Sequence, residues 1–166
     1  MENNLIETGE YSGSSRLGQL IAKLQATRYR LTPQRLALVR MLATDSSHPS
    51  ADQIYARLRS EYPTISLATV YNTLEVLVDI GEALPLDLNE GWTRYDVHRP
   101  SAHPHIVCRK CGRVDDLEVE GLSDFVHTAQ VCSSFRDLQP RIFFEGVCPT
   151  CNRPTISAAE GSDGAL

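Results

Sequence analysis

No stretch of apolar residues in this chain is longer than a few positions, whereas a membrane-spanning helix needs about 20 in a row. The opening residues, MENNLIETGE, lack the basic start and apolar run of a secretory signal, so a cytoplasmic protein is expected. Basic charge is scarce too: the formal net charge is -5, which at first argues against a nucleic-acid partner. Also missing are the His-Glu-x-x-His of zinc hydrolases, a phosphate-binding Gly-rich Lys-Ser/Thr loop and a serine nucleophile elbow, so no motif speaks for an enzyme. There is no internal repeat or low-complexity tract. What remains is 166 residues, 42% apolar and 22% charged, which excludes a disordered chain and suffices for one ordinary domain or two small ones.

The charge deficit is uneven. Residues 1–15 carry three acids and no base, residues 16–81 hold eight bases against five acids, and residues 82–166 hold eight against thirteen. A basic module joined to an acidic one fits a protein whose halves meet different partners, although ordinary surface variation fits the numbers equally well.

Residues 1–15 read as a flexible acidic arm and 154–166 as a flexible tail. Between them come four helical patterns. Leu17, Leu20, Ile21 and Leu24 form an amphipathic stripe. Thr32-Pro33 caps and opens a second helix, and Ser50-Ala-Asp-Gln53 is a capping box for a third. Ser66 caps a fourth, with Leu67, Val70, Leu74 and Leu77 inward and Gly81 as its stop. The period then changes to two: Leu84, Leu86 and Leu88 alternate, Asn89-Glu90-Gly91 is a turn, and residues 92–97 make a second strand. Helices followed by a hairpin are the order of a winged helix-turn-helix over 16–98, with the helix at 66–80 in the major groove; a plain helical domain with an added hairpin shares that pattern. Beyond Arg99-Pro100-Ser101, residues 99–153 read as a small α/β unit, with strands at 106–107, 114–119 and 141–147 and a helical stripe of Leu122, Phe125, Val126 and Ala129. The fold class expected is α+β.

Four of the five cysteines form two pairs, Cys108-Arg-Lys-Cys111 and Cys148-Pro-Thr-Cys151. Each turn offers two thiolates to one ion, and two such turns complete the tetrahedral sulfur shell of structural Zn(2+). A disulfide framework does not suit a chain without a secretory signal, and a thioredoxin-like pair calls for one such turn at a helix start. Cys132 stands apart and reads as a small buried or half-buried side chain.

Histidines gather near the junction of the two halves. In His103-Pro104-His105 the imidazoles, two residues apart on an extended segment, point to one side. Asp96 and Asp116 flank them, and His48 precedes the third helix. Such nitrogen and oxygen donors suit Fe(2+) or Mn(2+) while the thiolates hold zinc. Spacing alone does not bring these five together, and unrelated surface histidines would satisfy it as well.

The motifs Arg30-Leu-Thr-Pro-Gln-Arg35, His48-Pro-Ser-Ala-Asp-Gln-Ile-Tyr55, Ile65-Ser-Leu-Ala-Thr-Val-Tyr-Asn-Thr-Leu74, Arg94-Tyr-Asp96, His103-Pro-His-Ile-Val-Cys-Arg-Lys-Cys-Gly112 and Gly146-Val-Cys-Pro-Thr-Cys151 together resemble the ferric uptake regulator family over residues 17–153. The resemblance implies a metal-dependent transcription regulator: a homodimer on a palindromic double-stranded DNA operator, with a structural zinc and a regulatory metal ligated by His48, Asp96, His103, His105 and Asp116. Aspartate at 96 and 116, and Asn72 after Tyr71, look more like the peroxide-sensing branch than the iron-sensing one. That branch implies Fe(2+) at the regulatory site, oxidation of His48 or His103 by peroxide, and release of DNA. An iron-, manganese- or zinc-level-sensing uptake regulator is the alternative within the family. On the DNA side the resemblance points to Thr69, Tyr71 and Asn72 for base edges and to Arg28, Arg30 and Arg35 for phosphates or the minor groove. Pro140 departs from the histidine that many relatives carry there, and His127 reads as a surface residue. Two readings from other classes are a His/Asp metalloenzyme and a zinc-ribbon interaction module without DNA affinity.

Overall fold

A computed structural model describes residues 15–88, 91–136, 138 and 140–153. The expected arm (apart from Ser15), the expected tail, and Asn89 and Glu90 of the expected turn lie outside the described residues.

Four helices come first: α1 (Arg16–Ala26), α2 (Pro33–Thr44), α3 (Ala51–Leu58) and α4 (Leu67–Asp79). Each starts where a hydroxyl can accept a backbone N–H that the helix leaves without a partner. Ser15 accepts from Gly18, Thr32 from Arg35 and Ser66 from Thr69. Ser50 and Gln53 close a reciprocal capping box. At the end of α4 the Gly81 N–H meets the Val78 carbonyl (3.0 Å) and the Glu82 N–H meets Leu77 (2.7 Å). This double closure needs the left-handed φ of +70° that glycine adopts without strain. The apolar stripes converge on one core, where Leu20, Leu24, Leu38, Ile54, Leu74 and Leu77 are fully buried.

The wing follows as an antiparallel hairpin, β1 (Leu84–Asp87) with β2 (Thr93–Asp96). It is tied to the start of α3 by a Ser50–Arg94 bridge and by the Tyr95 N–H on the Pro49 carbonyl at 3.1 Å. Next come β3 (His105–Cys108), β4 (Val114–Asp116), α5 (Leu122–Ser133) and β5 (Phe143–Gly146). Their sheet has the order β4-β3-β5, antiparallel on one side of β3 and parallel on the other. The mixed helix-and-strand class is as expected, and a winged helix precedes the sheet. Leu86 of the wing packs with Val107 and Val114 in a small second core.

Three strands are shorter than the periodicity suggested. At β4 the cause is visible: the Leu117 N–H still reaches the Pro104 carbonyl (2.8 Å), but proline has no N–H to return, so pairing stops at Asp116. The helix at α5 is present, yet none of its residues is buried within the single chain. Cys132, expected to be buried or half-buried, is exposed for the same reason.

One ion-pair cluster carried no sequence signal. Glu82, buried just after α4, is held by Arg16 and Lys23 of α1, and Arg16 also donates to the Val97 carbonyl at 2.7 Å. Burial pushes the Glu82 carboxyl up, but the two cations outweigh it and the net shift is downward. A lowered folded-state pKa means that the stability from this group is present above its unfolded value of 4.5 and lost as pH falls through the folded one. We therefore expect Glu82→Ala to cost about 3 kcal/mol at neutral pH, by leaving Arg16 partly buried without its carboxylate. Urea titrations at pH 7 and pH 4 check this, because the gap between variant and parent should narrow at the lower pH.

Candidate metal centres

The loop between α2 and α3 brings His48 into the interior. The Ser47 N–H donates to Asp45 (2.8 Å), and the Arg57 guanidinium pairs with Asp45 and bonds Ser47. His48 itself has a φ of +52° and is 1% exposed. A non-glycine residue in the left-handed region carries strain, which persists only where the surroundings over-determine the position. Here Pro49 follows, and its carbonyl is bound to the wing.

Four more side chains meet this imidazole. Asp96 ends β2, His103 precedes β3, His105 begins β3, and Asp116 ends β4 directly opposite His105 in the ladder. One donor atom from each of the five lies within 4.8 Å of all the others. Asp116 Oδ1 is 2.7 Å from His48 Nε2, 3.1 Å from His103 Nε2 and 3.8 Å from His105 Nε2. Asp96 Oδ2 is 3.6 Å from His103 Nε2 and 3.9 Å from His48 Nε2. These same five atoms are buried and make no proper hydrogen bond to one another or to anything else. Buried polar atoms are ordinarily satisfied, so five unsatisfied atoms aimed at one point fit a divalent cation. Two of the five have a partner on the outer side, while His48 Nδ1 is buried without one. His103 Nδ1 lies 2.7 Å from the Ser101 carbonyl, which fixes the tautomer with Nε2 as donor atom, and the Arg99 N–H donates to Asp96 Oδ1 at 2.9 Å.

Electrostatics prepares the set. Burial, helped by the neighbouring His103 and His48, brings His105 down to about 4, so this ring stays neutral and ready to donate at physiological pH. Burial pushes Asp96 up despite its imidazole neighbours. Burial also pushes Asp116 up, but the three nearby imidazoles, His103 first among them, bring it net below the usual carboxylate range.

The second cluster is Cys108, Cys111, Cys148 and Cys151, again with donor atoms within 4.8 Å of each other. Cys108 ends β3 beside Gly146 of β5, and the turns after both strands bring in the other three. Cys111 Sγ and Cys148 Sγ are 3.8 Å apart, the edge of a tetrahedron with metal–sulfur bonds of about 2.3 Å. Backbone N–H groups of Cys148, Cys111 and Lys110 bring the Cys108 thiol down to about 6, toward the thiolate that a metal requires. Cys151, which hydrogen-bonds Cys148 and Cys111, is pushed up to about 12.

The remaining singled-out residues sit elsewhere. Tyr71 and Asn72 are exposed on α4, while the Thr69 hydroxyl is engaged with the Ser66 cap at 2.9 Å. Arg28 and Arg30 are exposed. Arg35 lies over the Tyr29 ring, 4.6 Å from its centre, and donates to the Arg30 carbonyl; Tyr29 in turn bonds Thr73 of α4. Sequence reasoning missed this chain of contacts between α2 and α4, because nothing in the spacing of positions 29, 35 and 73 announces it. His127 is exposed, and Pro140 offers no donor.

Residues 26–138 match the ferric uptake regulator family. The chain is 38% identical over 135 residues to a peroxide-responsive repressor, PerR, of Staphylococcus epidermidis, covering 81% of this chain and 89% of that one. It is 37% identical to the protein of the same name from Staphylococcus aureus strain USA300, over 81% and 90%. Among solved structures, the Helicobacter pylori ferric uptake regulator Fur superposes with a TM-score of 0.71 at 19% identity, covering 87% and 97% of the two chains, a likeness of fold. A zinc-bound manganese uptake regulator superposes at 0.63 with 26% identity, covering 78% and 98%.

Proposed function

The chain belongs to the ferric uptake regulator family, and from that premise we propose that it is a DNA-binding repressor that senses peroxide through its His/Asp metal centre. The observation that carries the reading is the buried cluster of three imidazoles and two aspartates, with no sulfur and with its donor atoms left unsatisfied. The name of the 38%-identical relative supports it.

On this reading residues 16–98 bind DNA and residues 99–153 dimerise. Cys108, Cys111, Cys148 and Cys151 hold zinc, while His48, Asp96, His103, His105 and Asp116 hold the regulatory ion. Ferrous iron held by these residues would activate peroxide, whose O–O bond would break with one oxygen replacing a ring hydrogen of an imidazole and the other leaving as water, a two-electron oxidation of the ring; manganese would fill the same donors without that reaction. His48 and His103 are the oxidation-sensitive rings. An oxygen added to an imidazole makes it a poorer donor, and the set then loses its grip. The switch is linkage: His48 comes from the loop before α3 and His105 and Asp116 from the sheet, so holding them together fixes the angle between the two modules. In a two-fold dimer that angle sets the separation of the two α4 helices, which must match the half-sites of a palindrome. Metal and DNA then strengthen each other's binding reciprocally.

A homodimer is supported by the large apolar side chains that the second module leaves exposed within one chain, Phe125, Val131, Phe135 and Phe144. Tyr71 and Asn72 face base edges, and Arg28 and Arg30 face phosphates. Arg35 and Thr69, engaged within the chain, hold that surface in shape. No helix of the described residues is long and apolar enough to cross a membrane; we place the protein in the cytoplasm with its operator.

Intact mass and peptide mapping of the Fe(2+)-loaded protein after mild peroxide tests the reading. One added oxygen on His48 or His103 with loss of DNA binding is expected. An unmodified protein that stays on its operator sinks peroxide sensing and leaves metal-level sensing. Catalytic consumption of a substrate by the Fe- or Mn-loaded protein would instead point to an enzyme.

A further inference from the structure

Apart from both clusters, a cleft of about 400 Å³ opens between α4 and the wing, lined by Ser50 and Asp52 at the start of α3, Tyr71, and Gly91, Trp92 and Tyr95 of the wing. Two of its aromatic lining residues are exposed: Tyr71 at 41% and Trp92, the chain's one tryptophan, at 55%. A large ring left in water at a hairpin end contributes nothing to the core, and tryptophan gives most of its energy when its apolar body is covered. Among the described residues no lysine or arginine lines the cleft, and Asp52 adds a negative charge to it. A free phosphate therefore has no cation to meet there, whereas a sugar ring or a base edge has two aromatic faces.

We propose that Trp92 is a DNA-contacting residue of the wing, its indole packed on the sugars and base edges of the strand that borders the groove entered by α4. The inference rests on the DNA-binding reading above. The position follows from the geometry: Tyr71 and Trp92 line one concavity, so a duplex that seats Tyr71 in a major groove about 12 Å wide brings its flanking strand to the cleft. The chemistry follows from the lining. Phosphate contacts made by arginines release counterions and are weakened by salt, but a contact with uncharged sugar and base surface is not. Trp92 thus contributes affinity that salt does not screen, beside the salt-sensitive share of Arg28 and Arg30.

The full-length protein loaded with Mn(2+) is titrated with a duplex recovered by repeated selection from a random-sequence pool. Because Trp92 is the only indole, its emission reports this position alone. The expected result is a change in emission that tracks the mobility shift. Trp92→Ala should lose about ten-fold in affinity with no change in the slope of log affinity against log salt. Trp92→Phe should retain most of the affinity, and Arg30→Ala should lower the slope by about one. Unchanged emission at saturating duplex, or wild-type affinity in Trp92→Ala, overturns the proposal while leaving the DNA-binding reading intact. An emission change that follows dilution of the dimer rather than addition of duplex overturns it too, in favour of a contact between copies. If the unsubstituted protein selects no duplex at all, the DNA-binding reading falls, and this inference with it.

Discussion

Serine in place of Cys148 is expected to dismantle the second module while α1–α4 stay folded. The reason lies in how little else holds that module together. Of its own side chains, the apolar ones packed into a buried cluster are Val107 and Val114, which share it with Leu86 of the wing. Burying such residues is worth about 1.5–3 kcal/mol each, against about 1–2 kcal/mol per residue for ordering the backbone. None of α5's residues is buried within one chain, so it adds to the deficit there. The four cysteine sulfurs, by contrast, lie within 4.8 Å of one another, and zinc bound there would pin the end of β3, the turn into β4 and the turn after β5 to one point. A structural zinc site of this kind contributes about 10–16 kcal/mol, which is folding energy because the site does not exist in the unfolded chain. Loss of one thiolate should release the zinc, dissociate the dimer in sedimentation, and leave a helical signal that melts as a smaller unit. Stoichiometric zinc and an intact dimer in Cys148→Ser would show that the cysteines are not what holds the sheet.

His103→Ala is expected to act in the opposite way, on function and not on folding. His103 is fixed by the Ser101 carbonyl and faces both Asp96 and Asp116, so its removal takes away a central donor. Loss of an outer partner alone costs about 10–100-fold in metal affinity, and loss of a donor atom exceeds that. Metal-dependent DNA binding should vanish while zinc content and dimer remain. The metal-free variant should still fold, because His103 belongs to neither apolar cluster. Metal titration followed by thermal melting reads both effects: the parent gains stability with Mn(2+) and the variant does not. A variant that fails to fold would mean that the cluster is structural.

Much of this was legible in the residues because it is local. Thr32-Pro33, Ser50 with Gln53, Ser66 and Gly81 mark helix ends through bonds that reach only three to five positions along the chain, and each cap or stop is found in place. The cysteine pairs are likewise self-announcing. The His/Asp set needed more, because Asp116 meets His105 only through the β3–β4 register and His48 arrives through a strained loop. No period or spacing encodes either. Glu82 with Arg16, and Tyr29 with Thr73, join positions 66 and 44 residues apart, which composition cannot reveal. The stripe on α5 was readable as a helix, but its amphipathic pattern does not say whether the covering surface belongs to the same chain. Cys132 was misjudged for that reason.

Strand β3 carries His105 at one end and Cys108 at the other, three residues or about 10 Å apart. The odd spacing turns the two side chains to opposite faces of the sheet. The two donor sets are therefore kept apart, and on the proposed reading soft sulfur and harder nitrogen–oxygen donors would sort their ions between them. Mechanically they are in series. A strong oxidant that attacked the thiolates would slacken the beam on which His105 is mounted, so on the proposed reading this protein responds first at the ion, by a covalent change confined to one ring, and has a fuse behind it that costs the sheet its support.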